Sequence, residues 1–120
     1  MKEEDKKIIL TDKVSIDFVK EFAKSEYITM IKGCVDIKKE LVAIGGHYHM
    51  ETCELLSTQG SNHLDVWGFN IRFEIDENGE LEFDSLVNIK PALKNMSRSI
   101  NDQNVIDKAT IIIKNYIDLK

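Results

Sequence analysis

The stretch VWGFNIRFEI, residues 66–75, decides the fold, because from Trp67 onward apolar and polar residues alternate. A period of two predicts a β-strand with one apolar and one polar face. We expect the apolar set to face a core and the other set to form the polar face. The apolar set is Trp67, Phe69, Ile71, Phe73 and Ile75, and the polar set is Gly68, Asn70, Arg72 and Glu74.

A second strand is predicted in LEFDSLVNI, residues 81–89, which would form a hairpin with the first. A three-residue loop, Glu77–Gly79, keeps apolar side chains opposite one another, and opposite residues share a face. This loop type also needs a left-handed residue, for which Gly79 is suited. The predicted register pairs Ile75 with Leu81, Phe73 with Phe83, Arg72 with Asp84, Trp67 with Ile89 and Gly68 with Asn88.

Hydrophobic spacing along the rest of the chain predicts three helices, capped by Ser15 and by Asn101 or Asp102 where caps are evident. Hairpins imply antiparallel pairing, so we expect an α+β fold: an antiparallel sheet of four or five strands with three helices packed on it as a single pair of layers. Residues 1–7 offer nothing to bury after Met1 and are expected to be disordered, leaving residues 8–120 as one domain. The further strands are expected at 8–10, 28–37 and 41–44, and the helices within 13–27, 49–58 and 101–119.

Composition excludes several classes of protein. The chain has 120 residues, of which 42% are hydrophobic and 31% charged, and a net charge of -5. This charge and the lack of a basic window argue against duplex nucleic acid as a partner. No apolar run is long enough for a membrane helix, and the charged start lacks the pattern of a signal peptide. Two cysteines, Cys34 and Cys53, make no disulfide framework, so we expect free thiols and a cytoplasmic location.

The stretch IGGHYHMETCELL, residues 44–56, carries three metal-ligand residue types behind a glycine pair. His47 and His49 would share one side of an extended chain, with Cys53 one helical turn further on, as a zinc site could use. The glycine pair before a helix could instead bind an anion. Because paired zinc ligands and full glycine-rich phosphate motifs are missing, we favour a strand-to-helix corner. No metal and no cofactor are therefore assigned.

The polar face of the predicted hairpin offers a different kind of site. Asparagine is a poor strand former, yet Asn70 and Asn88 both lie on this face. The alternative is a plain solvated face, which is common in antiparallel sheets. The groove, if present, would be lined by Asn70, Arg72, Asp84 and Asn88 together with Asn95, Ser97 and Arg98 from the following loop.

Four motifs in this order, AIGG..H, D.WG.N, FDSL.NI.P and N.S..I.D, resemble a family of short, uncharacterised bacterial and archaeal proteins that is known as a domain of unknown function. The resemblance covers roughly Val35 to the end of the chain and implies no activity. His47 stands where that family has an acidic residue and Met96 where it often has Arg, which weakens the two-histidine metal site. The matching positions are Gly45, Gly46, His49, Asp65, Trp67, Gly68, Asn70, Asp84, Ser85, Asn88, Pro91, Asn95, Ser97 and Ile100.

Three functions are compatible with these patterns. The first is a non-catalytic binding module for a polar ligand or a partner protein, acting as a monomer or a small homo-oligomer. The second is a small, optionally metal-dependent hydrolase that uses His49 with Asp65. The third is one half of a regulatory pair, such as an antitoxin or an immunity protein. The predicted ligand-binding residues are His49, Asp65, Asn70, Asn88, Asn95 and Ser97, which we expect to gather near one end of the sheet.

Overall fold

A computed structural model describes residues 6–24, 26–74 and 76–119 of the chain. Five strands form one antiparallel sheet in the spatial order β1-β3-β2-β4-β5, and three helices pack on it. The predicted α+β class, with its antiparallel sheet and three helices, is confirmed. The elements are β1 (Lys7–Ile9), α1 (Ile16–Ala23), β2 (Met30–Asp36), β3 (Leu41–Gly45), α2 (His49–Ser57), β4 (Val66–Arg72), β5 (Glu80–Glu82) and α3 (Gln103–Tyr116).

One face of the sheet holds the main core, which α1 and α3 cover. The predicted apolar face of β4 lies here, since Trp67, Phe69 and Ile71 are buried and Phe73 is partly buried against the same cluster. Burying such side chains stabilises the fold by about 1.5–3 kcal/mol each. The other members with full burial include Val19, Val35, Val42, Ile44, Ala109 and Ile113.

The opposite face is covered by α2, so helices lie on both sides of the sheet rather than in the single helical layer that the sequence predicted. Cys53 and Leu56 of α2 pack with Cys34 and Ala43 of the sheet in a second apolar cluster. Asn70 is buried on this face as well. The face predicted to be polar is therefore partly enclosed, which is what creates a groove beside α2.

The predicted hairpin register is wrong by four residues. Leu81 pairs with Ile71, not with Ile75, which lies outside the described residues. The turn is wider than three residues because β4 ends at Arg72 and Asp76 organises the turn itself, its carboxylate accepting from Asn78 N at 2.9 Å. The observed pairs are Asn70 with Glu82, Ile71 with Leu81 and Arg72 with Glu80, so Arg72 does not lie opposite Asp84.

The predicted strand over residues 81–89 is shorter than expected, since β5 ends at Glu82. Beyond it, Ser85 Oγ accepts from Val87 N at 3.2 Å and residues 86–88 form a single 3-10 turn. Serine and asparagine side chains that bond to nearby backbone compete with a strand ladder in this way. The predicted backbone pairs of Trp67 with Ile89 and of Gly68 with Asn88 are consequently not formed.

Several local predictions are confirmed. Ser15 Oγ accepts from Phe18 N at 3.1 Å at the start of α1, and Asp102 Oδ1 accepts from Asn104 N at 2.9 Å at the start of α3. Gly79 has φ of +93°, the left-handed conformation predicted for it. Cys34 and Cys53 are both free thiols.

The predicted disordered N-terminus falls mostly on residues 1–5, which lie outside the described residues, and Lys7 begins β1. In the parts of the chain that the structure describes, none of the helices combines the length and apolarity needed to cross a membrane.

Candidate ligand-binding groove

A groove of about 660 Å³ lies on the α2 side of the sheet, between the first turn of α2 and the segment that follows β5. We call residues 84–89 the wall segment. This volume falls in the range of small-molecule sites, which are commonly about 300–1,000 Å³. The floor is formed by β2 and β4, the near wall by Tyr48, His49 and Met50, and the far wall by Asp84–Val87 and Ile89.

The glycine pair and Glu51 place His49 at the groove. Gly45 and Gly46 have φ of +105° and +76°, so the chain turns sharply out of β3. Glu51 Oε1 then accepts from the backbone N of both His47 and Tyr48 at 3.1 Å, which fixes the start of α2. A glycine-rich strand-to-helix corner, the interpretation favoured from the sequence, is what the structure contains here.

The floor is organised by a contact between His49 and Asn70. His49 Nε2 lies 2.8 Å from Asn70 Oδ1 and 3.0 Å from the carbonyl of Phe69. Because a carbonyl can only accept, Nε2 carries the proton and Nδ1 holds the lone pair of the neutral ring. Asn70 Nδ2 donates to Glu82 Oε1 at 2.9 Å and to the carbonyl of Asp84 at 3.1 Å. This chain of bonds joins α2, β4, β5 and the wall segment across the floor.

Burial lowers the pKa of His49 below its ordinary value of 6.5, and its hydrogen bonds to Phe69 and Asn70 oppose this only in part. The nearby charge of Lys32 lowers the pKa further. The ring is therefore neutral at pH 7: its Nε2–H donates within the floor, and its Nδ1 keeps an acceptor lone pair.

We expect the low pKa of His49 to make the fold sensitive to acid. Above pH 6.5 the ring is neutral in both states, and its stabilising contribution is complete. As the pH falls through 6.5 toward the lowered pKa, the unfolded chain takes up the proton first, so the free energy of unfolding decreases. One proton limits this slope to about 1.4 kcal/mol per pH unit. Urea unfolding at pH 7.5, 6 and 5 should show a smaller loss of stability for His49→Gln than for the wild type; equal losses would contradict the assignment.

Three cations line the groove. Arg72 is paired with Glu82 at 2.9 Å and with Glu74 at 2.8 Å, and Arg98 is paired with Asp84 at 2.7 Å. Lys32 Nζ instead donates to the carbonyl of His47 at 3.2 Å. Among the described residues, Lys32 is thus the groove cation that has no carboxylate partner.

The rim of the groove is apolar and exposed. Tyr48 is 63% exposed, Met50 is 50% exposed and Leu86 is 68% exposed, and all three line the groove. Sites that bind small molecules combine such apolar walls with a few fixed polar groups on the floor.

The wall segment is held against β4 by Asn88, which is fully buried. Its Oδ1 accepts from Gly68 N at 2.7 Å, and its Nδ2 donates to the carbonyls of Gly68 at 3.1 Å and Arg98 at 3.0 Å. The Asn88 side chain thereby gives Gly68 the two bonds that a neighbouring strand would give. Gly68 and Asn88 are close together, as predicted, but the contact is made by the Asn88 side chain and not by paired backbone groups.

Asn95 and Ser97 order the loop behind the wall and do not line the groove. Asn95 is buried, and its Nδ2 donates to the carbonyls of Asn88 and Ser99, both at 2.8 Å. Ser97 is exposed, and its Oγ lies 3.0 Å from Ser99 Oγ. These residues, with Asn88, support the groove from outside it.

The structure thus divides the six predicted site residues. Two of them, His49 and Asn70, are in contact on the groove floor. Three others, Asn88, Asn95 and Ser97, hold the adjoining loop in place. Asp65 lies in a 3-10 turn before β4 and does not line the groove. His47 Nδ1 lies 2.8 Å from Glu26 Oε2. Over residues 6–24, 26–74 and 76–119, no three His, Cys, Asp or Glu side chains group closely enough to hold a metal ion.

Two lysines near this face were missed by the sequence analysis. Lys32 lines the groove, and its place in the alternating pattern of β2 next to Gly33 was the signal that could have revealed it. Lys90 is buried, with Nζ bonded to the carbonyl of Val87 at 2.8 Å and lying 5.0 Å from the centre of the Trp67 ring. Burial lowers the pKa of Lys90. No local pattern marks a buried lysine, because its burial depends on how the wall segment returns to β4.

Comparison with known proteins supports the family expectation. The family model described as "Protein of unknown function (DUF5674)" matches residues 8–116. Comparison with curated proteins and with solved structures gave no significant match. The match confirms a domain of unknown function, whereas the four motifs and the bacterial or archaeal origin stay predictions. Since the matched region is nearly the whole chain, this protein belongs to the DUF5674 family of proteins of unknown function.

Proposed function

We propose that this protein is a non-catalytic binding module and that the groove beside α2 receives a small polar ligand. The observation that carries the proposal is the hydrogen-bonded floor, in which His49 and Asn70 are fixed before any ligand arrives. Polar groups that are already ordered lose little entropy on binding, so they can contribute to affinity and specificity. The exposed apolar rim supplies surface for a ligand to cover.

The chemistry of the groove supports the non-catalytic part of the proposal. Among the described residues, His49 Nε2 bonds to the carbonyl of Phe69 and to Oδ1 of Asn70, and neither group is a nucleophile. Burial raises the pKa of Cys34 to about 12 and also raises that of Cys53. Neutral, buried thiols are poor nucleophiles. The hydrolase alternative needs Asp65 beside His49, and Asp65 is not among the residues that line the groove.

A partner protein is the second candidate, and the exposure of the rim residues Tyr48, Met50 and Leu86 favours it. This protein would then cover its partner with the rim, as an antitoxin or immunity protein covers its target. A cytoplasmic location is part of the proposal, and two free, buried cysteines support it, because reducing compartments preserve thiols.

Leu86 provides the test of the groove. We expect a library of small soluble compounds, screened by ligand-observed NMR, to give compounds that bind the wild type. Leu86→Ser should weaken the binding of these compounds about tenfold, because removing part of a leucine contact costs about 1.4 kcal/mol. Leu93→Ser is the matched control, since Leu93 is also exposed but does not line the groove.

Two results would contradict the proposal. One is equal weakening by the Leu86 and Leu93 variants, which would place binding elsewhere. The other is hydrolysis of p-nitrophenyl esters that is abolished by His49→Ala in a variant that remains folded, which would favour the hydrolase.

A further inference from the structure

We infer that the groove selects a small organic monocarboxylate with an apolar body, with the carboxylate bound at Lys32. This inference rests on the proposed function and adds the chemical class of the ligand. It is carried by the one lysine on the groove floor and by the charges that surround it.

Lys32 is a cation held in place without a carboxylate partner. Within the described parts of the chain, Lys32 forms no salt bridge. Its Nζ lies 5.2 Å from the centre of the Tyr27 ring and 5.7 Å from that of Tyr48, and it donates to the carbonyl of His47. An ammonium group has three donors, so after this bond others remain for a ligand. Lys32 is half-buried, where water screens its charge less than at the surface.

The neighbouring charges favour one negative charge over two. The other groove cations, Arg72 and Arg98, are each neutralised by carboxylates of the protein. Asp84 lines the same groove, and Glu82 accepts from Asn70 on its floor. A carboxylate would balance Lys32, whereas a phosphate dianion would bring a second charge toward these two acidic groups. The site therefore suits a carboxylate better than a phosphate.

The rest of the lining suits an apolar body. Met30, Tyr48, Met50 and Leu86 line the groove near Lys32 or along its rim, and a chain of several carbons would cover them. Each CH₂ group that is removed from water contributes about 0.8 kcal/mol. A ligand with one carboxylate and a short alkyl or aromatic body fits both features.

The test compares three probes by NMR titration of the full chain: octanoate, its neutral analogue octanamide, and octyl phosphate. We expect octanoate to bind about tenfold more tightly than octanamide, since a hydrogen bond to a charged group contributes about 1.5–3 kcal/mol. Octyl phosphate should bind no more tightly than octanoate. Lys32→Met should reduce the affinity for octanoate to that for octanamide, and a far-UV circular dichroism spectrum like that of the wild type would show that the variant is folded. Lys108→Met, an exposed lysine on α3, is the charge-matched control and should keep the preference.

The outcomes separate the two proposals. Equal binding of octanoate and octanamide, or a preference that survives Lys32→Met, would overturn the monocarboxylate inference and leave the groove as a binding site. Tighter binding of octyl phosphate would replace it with a phosphate site. If none of the three probes binds while other compounds bind the groove, the inference alone is overturned. If no compound of any class binds there, the proposed function fails.

Discussion

Replacing Asn88 with alanine is expected to lower the free energy of unfolding by about 3–5 kcal/mol. The variant loses all three hydrogen bonds that the buried amide makes to Gly68 and Arg98. The amide N–H of Gly68 would then lie in the interior without its partner, and such a group costs about 1–3 kcal/mol. Urea unfolding followed by far-UV circular dichroism measures this loss.

Two further variants make the Asn88 test specific. Asn88→Asp keeps an acceptor for Gly68 N but places a carboxylate oxygen against the carbonyl oxygens of Gly68 and Arg98, so we expect it to be nearly as unstable as the alanine variant. Asn115→Ala changes an exposed asparagine on α3 and should alter stability by less than about 0.5 kcal/mol. A stable Asn88→Ala variant would show that other contacts hold the wall segment.

Gly68→Ala is expected to cost about 2–3 kcal/mol and to weaken ligand binding as well. A Cβ on Gly68 would lie 2.6 Å from both Cβ and Oγ of Ser85 and 2.8 Å from Val87 Cγ2. These atoms belong to the wall segment, so the segment must move away from β4. Its movement would widen the groove at Leu86 and disturb the bond between Asn70 and the carbonyl of Asp84.

Gly33→Ala separates loss of stability from loss of the groove. A Cβ there would lie 2.5 Å from Cζ of Phe69 and 2.7 Å from the carbonyl oxygen of Ala43, away from the wall segment. We expect it to destabilise the fold while affinity, measured well below the melting temperature, stays close to that of the wild type. If both glycine variants reduce affinity equally, the wall segment has no special part in binding.

The hairpin of β4 and β5 shows how much of this fold could be predicted from the sequence. The alternation from Trp67 to Phe73 gave the correct apolar face although the predicted register was four residues away. A shift by an even number keeps every side chain on its own face, so burial alone cannot distinguish the two registers. The turn at Asp76 decides between them, and its width depends on side-chain bonds that hydrophobic spacing does not report.

Long-range contacts explain what the sequence could not predict about the site. The contact of His49 with Asn70 joins residues 21 positions apart and exists only because α2 packs on the opposite face from α1 and α3. Asn88 was expected to line the site because its parity matched that of Asn70. The Asn88 side chain instead bonds to backbone groups of Gly68 and Arg98. It holds the wall segment in place and does not line the groove. The signal for Lys32, its place in the alternating pattern of β2, is weak, because a single lysine in a strand is usually a solvated side chain.

Titration of the tightest compound from the screen into the protein, followed by backbone amide chemical shifts, tests whether the ligand binds in the groove between α2 and the wall segment. We expect the largest changes on Tyr48–Met50, on Asn70 and on Ser85–Val87, which line the groove. Changes confined to another surface, such as the cleft lined by Leu81 and Thr110 between β5 and α3, would contradict this expectation.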